Sequence, residues 1–165
     1  MSARSSARCW RVVLVPLTGL AVLAACGPAG PTDRQTDVAE RGSRVMPFDL
    51  EATTHRFEPD VDGLTQTVVI DDPGDTGQLA LVREHLRDEA DRFTRGDFDD
   101  PAHIHGDAMP GLSDLRAGYS SIDVTYSDVS AGGRITYRTT DADLVAALHT
   151  WAEAQTTDHG DHAEH

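Results

Sequence analysis

Cysteine is almost absent from this chain. Its 165 residues include two, Cys9 and Cys26, both near the start. A domain downstream of them has no thiol for disulfides, redox catalysis or thiolate ligation, and must be held together by its core alone. Long apolar runs are missing too. The one sustained stretch, residues 12–25, is too short and too rich in small residues for a comfortable transmembrane helix. Positive charge is scarce, with 14 Lys and Arg against 28 Asp and Glu and a net charge of −14. That balance argues against nucleic acid and against lying on an anionic membrane surface. There is no Gly-x-Ser-x-Gly elbow, no phosphate loop, no Gly-x-Gly-x-x-Gly after a strand and no His-Glu-x-x-His. Asp97-Phe98-Asp99-Asp100 lacks the spaced ligands and terminal Glu of a calcium loop.

What is present begins with a basic segment, Arg4, Arg8 and Arg11, then the apolar run, then Leu23-Ala24-Ala25-Cys26. This arrangement resembles the signal peptide and lipobox of a bacterial lipoprotein. The resemblance implies cleavage after residue 25 and a diacylglycerol on Cys26, which becomes the first mature residue. Two acyl chains give stable anchoring where one is marginal. The protein is thus expected to be exported and held by the lipid bilayer at the outer face of the cytoplasmic membrane. Cleavage removes three arginines and no acid, leaving 11 basic and 28 acidic residues. An acidic surface suits a soluble domain held off the membrane, or one that attracts cations.

Residues 26–47 are rich in Gly, Pro, Thr, Asp and Arg and read as a flexible tether. Residues 48–157 read as one folded domain, and residues 158–165 as a tail rich in His and acids. Alternation over residues 53–57 and 64–70 predicts two strands. Leu79, Val82, Leu86, Ala90 and Phe93 recur at helical steps and predict a helix over 76–95. A long connection over 97–112 follows. Residues 120–126 and 134–139 predict two more strands, and Leu144, Leu148 and Trp151 a second helix to about residue 155. The expected class is α+β: two ββα units, giving a four-stranded antiparallel sheet with two helices on one face. Placing His85 over His149 aligns His, Glu and Ala of the two helices 64 residues apart, a possible duplication.

All eight histidines lie after residue 54. His103-x-His105 puts two imidazoles on one side of an extended segment. Met109 follows and adds a thioether, so this loop is a candidate site for copper or zinc. His85/Glu89 and His149/Glu153 are i, i+4 pairs, each on one helix face. If the two units are related by a twofold, the histidines could converge, and His55 on the first strand could approach either helix. His159, His162 and His165 recur at every third residue among acids, a short chelating composition. Each group also has a plainer reading: a polar loop, a solvated helix flank, an acidic tail.

Thr54-His55-Arg56-Phe57, Leu81-Val82-Arg83-Glu84-His85-Leu86, Gly96-Asp97-Phe98, Ile104-His105-Gly106, Met109-Pro110-Gly111-Leu112 and Asp158-His159-Gly160 together resemble a group of small exported bacterial proteins. Some of these carry the name aspartate carbamoyltransferase. That activity is not expected here. The Ser-Thr-Arg-Thr phosphate-binding motif is missing, and an acidic domain is a poor host for a dianionic substrate. The leading expectation is a lipid-anchored protein that binds copper or zinc through these His, Met and Glu groups. The alternatives are a metal-free envelope interaction or scaffold protein, and a small enzyme using His85/Glu89 or His105/Asp107 as an acid–base pair.

Overall fold

The computed structural model describes residues 31–160, 163 and 164. Cys26 and the expected signal peptide, with His162 and His165, lie outside the described residues. Among those described, no helix is long and apolar enough to cross a membrane.

The first hairpin pairs β1 (Thr53–Asp60) with β2 (Gly63–Ile70) through a two-residue turn. Alternation sends His55 and Phe57 from β1, and Leu64, Gln66, Val68 and Ile70 from β2, to one buried face. Helix α2 (Thr76–Phe93) starts where Asp75 accepts from the backbone N–H groups of Gly77 and Gln78. It buries Val82, Leu86, Glu89, Ala90 and Phe93. The second hairpin joins β3 (Asp123–Val129) to β4 (Gly132–Arg138), and α5 (Ala142–His159) follows with Asp141 as its cap.

The expected architecture is present. The sheet runs β3-β4-β2-β1 with all neighbours antiparallel, and both helices cover one face. A two-residue strand, β5 (Ala163–Glu164), adds in parallel beyond β1. The two hairpins meet through β2 and β4, as a pseudo-twofold requires. Helix α2 lies against β3 and β4 while α5 lies against β1 and β2, so each helix chiefly covers the other unit's hairpin. Between them Trp151, fully buried, meets Phe57, Phe93 and Tyr137 edge-on at centroid distances of 5.8–6.4 Å. Gly133 lets α2 sit close on β4: a Cβ there would stand 2.9 Å from both Leu86 Cδ1 and Tyr126 Cε2.

The two helices are the same length, and aligning their ends gives an offset of 66 residues. Burial follows that offset. Val82, Leu86 and Glu89 then match Leu148, Ala152 and Gln155, all buried. The sequence register of 64 sets buried Glu89 against exposed Glu153 instead.

Three segments differ from expectation, the first being the 158–165 tail, in which Asp158 and His159 end α5 and Ala163–Glu164 form β5. Residues 97–112 are not a plain loop but contain α3 (Asp99–His105), and α4 (Leu112–Gly118) follows. Arg92 holds the start of α3 through ion pairs to Asp97 and Asp100. Phe98 stacks on Phe93 at 4.6 Å. Within the expected tether lies α1 (Asp33–Val45), opened by a capping box between Thr32 and Gln35. It packs on α3 and α5, and a three-residue 3-10 turn, Leu50–Ala52, leads from it into β1.

Candidate functional site

The gap between α2 and α5, over β1 and β2, is closed by α3 and by the chain after α1. It encloses a cavity of about 20 Å³, room for about one water-sized occupant. Its wall brings together His55 from β1, His85 and Glu89 from α2, His105 from α3, and Gln155 and His159 from α5. A second cavity, about 30 Å³, lies on the α1 side and shares His55 and His159 as lining.

Three imidazoles form a connected group. The His55 and His159 rings are 4.9 Å apart, and His105 and His159 are 5.3 Å apart. Phe57 stacks on His159 at 6.2 Å, and Phe48 meets the His85 ring edge-on at 5.6 Å. His105 is fixed by a carboxylate. Its Nδ1 lies 2.8 Å from Asp158 Oδ2. A carboxylate only accepts, so Nδ1 carries the hydrogen and Nε2 keeps its lone pair. Arg34 of α1 in turn grips Asp158, donating from Nε to Oδ1 at 2.8 Å and from Nη2 to Oδ2, while Nη2 also donates to the His105 carbonyl at 2.8 Å. Burial pushes the His105 pKa down, and Asp158 only partly restores it, so the ring is neutral near pH 7. Burial pushes Asp158 up, but Arg34 and His105 outweigh it and hold the carboxyl below its usual range.

The α2 side of the cavity is different in character. Glu89 is fully buried, and burial, with help from Asp100, raises its carboxyl to about 8 against the opposing pull of Arg92 and a hydrogen bond from Gln66. Tyr137 donates to Gln66 Oε1 at 2.7 Å, which turns the Gln66 amide nitrogen toward Glu89. Burial lowers the His85 pKa, and its Nε2 has no hydrogen-bond partner among the described residues. The same holds for Gln155 Oε1, in a side chain only 5% exposed.

The expected site residues divide cleanly. His55, His85, Glu89, His105 and His159 line the cavity. His103 does not join them. The segment is helical, so residues two apart point about 200° apart around the axis, and His103 is exposed while His105 is buried. Met109 lies in the apolar core with Leu112 and Leu115 and offers no thioether to the cavity. His149 does not converge with His85: its Nε2 donates to the Asp60 and Gly63 carbonyls at 2.8 and 3.0 Å, tying α5 to the first hairpin turn. Glu153 faces solvent. Asp107 pairs with Arg116 at 3.1 Å, and the carboxylate on His105 is Asp158. Sequence reasoning missed Arg34, Gln66, Gln155 and Asp158. The α5 stripe, continued from Trp151 in steps of three and four, reaches Gln155 and Asp158 and would have found two of them.

Among the described residues, no three His, Cys, Asp or Glu side chains stand close enough together to hold a metal ion. The exposed large apolar residues, Val61, Leu81 and Tyr119, sit on three separate elements. No protein-family profile, curated protein or solved structure matches this chain.

Proposed function

We propose that this is an exported lipoprotein, anchored through acylated Cys26 at the outer face of the cytoplasmic membrane, whose domain binds one copper or zinc ion through His55, His105 and His159. The observation that carries the reading is the spacing of these rings. A metal–nitrogen distance of about 2.0–2.1 Å, plus about 1.1 Å from nitrogen to ring centre, puts two imidazoles on a tetrahedral ion with centroids about 5 Å apart. The His55–His159 and His105–His159 separations are 4.9 and 5.3 Å. Closing the third side of the triangle is the work of side-chain rotation on binding. Asp158 supplies the carboxylate–histidine contact that fixes the tautomer of a metal-bound ring. An imidazole set without thioether favours the divalent ions, Cu(II) or Zn(II).

The test is calorimetric titration of the full chain in detergent with each ion. Binding at one equivalent should persist when His162 and His165 become Ala and weaken at least 100-fold with His105→Ala. Binding that disappears with the two tail histidines would reduce the claim to a chelating peptide. No binding at all would favour a metal-free interaction protein. A second reading, acid–base chemistry by His85 and Glu89, draws on the raised Glu89 carboxyl. A cavity of about 20 Å³ admits no substrate larger than water, so that reading requires the site to open.

A further inference from the structure

Helix α1 is joined to the domain in an unusual way for a packed element. Of its 13 residues only Val38 and Gly42 are buried. Its side-chain hydrogen bonds with the body gather at its first turn. Arg34 holds Asp158 and the His105 carbonyl, and Gln35 Nε2 donates to the Thr157 carbonyl at 3.0 Å. Beneath it lies the cavity of about 30 Å³, with Gln35 and Ala39 of α1 on one side and His55, Asp158 and His159 on the other. His55 and His159 separate this space from the inner cavity, since both line each.

From this arrangement we propose that α1 is a lid over the histidine site, locked by the Arg34–Asp158 pair, and that its release opens His55, only 4% exposed, to solvent. As access control, the idea rests on the metal reading above; as a motion, it stands alone. Elements with few buried apolar contacts open at the low end of a protein's range of local unfolding energies. One buried valine, one buried glycine, a part-exposed ion pair and two hydrogen bonds to backbone carbonyls hold α1. Helix α5 instead buries Leu144, Leu148 and Trp151 in the core. The lid therefore opens while the domain stays folded. Arg34 also sets the strength of the lock, because it grips a carboxylate that already holds His105. Freeing α1 breaks three hydrogen bonds from Arg34 and one from Gln35 but leaves the His105–Asp158 contact in place.

Three readouts on the full chain in detergent test this: amide hydrogen exchange, the rate of His55 modification by diethyl pyrocarbonate, and the rate of Zn(II) uptake by stopped flow. Two variants loosen the lid differently. Arg34→Ala removes the lock, and Val38→Ala removes the buried contact without touching any polar group of the site. In wild type, α1 amides should exchange at least 100-fold faster than those of α5. Both variants should raise α1 exchange and His55 labelling about tenfold or more, leave α5 protection unchanged, and speed Zn(II) uptake by a similar factor. The proposal is overturned if α1 and α5 exchange together, or if labelling stays constant while α1 loosens. Zn(II) affinity lost in Arg34→Ala with no faster uptake would mean that Arg34 only braces the site. If wild type binds no zinc, the metal reading fails, while exchange and labelling still decide the lid.

Discussion

Replacing Glu89 by Gln tests the electrostatics of the cavity through stability alone. Burial raises the folded-state carboxyl from 4.5 to about 8. Below pH 4.5 the group is protonated in both folded and unfolded chains and makes no difference. Above that, the unfolded chain releases a proton the folded chain keeps, so stability falls as pH rises, by up to about 1.4 kcal/mol per pH unit. The fall levels off above pH 8, after a loss on the order of 5 kcal/mol; at pH 7 it is about 3 kcal/mol. Glutamine has nearly the same shape and never ionises. The variant should therefore gain on wild type between pH 5 and 7 by about 2.5 kcal/mol, beyond any constant offset from its changed hydrogen bonding. With a urea m-value of about 1–3 kcal/mol per molar, that is a relative midpoint shift of about 0.8–2.5 M. Urea unfolding at pH 5, 6, 7 and 8 with a chelator present measures it. Parallel pH profiles for the two proteins would refute the claim that the buried carboxyl is held protonated.

Three further outcomes follow from the packing. Trp151→Ala, at the contact of Phe57, Phe93 and Tyr137, should cost about 3–5 kcal/mol in urea unfolding. Gly133→Ala places a Cβ 2.9 Å from Leu86 and Tyr126, and should cost about 1–3 kcal/mol by overpacking; thermal unfolding of the variant checks it. His149→Ala breaks the tie to the Asp60 and Gly63 carbonyls. It should lower stability by about 1–2 kcal/mol with Zn(II) affinity unchanged, and a loss of affinity would place His149 in the site after all.

The sheet and its two long helices were legible because each has a clean period. Thr53, His55 and Phe57 alternate, and Val82, Leu86, Ala90 and Phe93 step by four and three. Helix α1 was not legible as a packed element because its apolar stripe is one valine and one glycine, too thin for any periodicity. Its capping box, Thr32 to Gln35, was the available signal. The His103-x-His105 pair misled because its meaning depends on the backbone: extended, both rings share a side; helical, they point apart. Asp100-Pro101 in the first turn of α3 was the cue for a helix. Asp158 and His159 were read as tail because the acidic composition hid that α5 runs to His159. The site is assembled by tertiary contact between α1, α3, α5 and β1, and no local pattern encodes which rings meet.

The most direct test of the central claim is side-chain nitrogen NMR of the histidines while Zn(II) is added to one equivalent. The account predicts that His55, His105 and His159 shift together and saturate at one equivalent, with His105 bound through Nε2, while His103 and His149 do not move. First or exclusive response from His103, His162 or His165, or no change in His105, would contradict it.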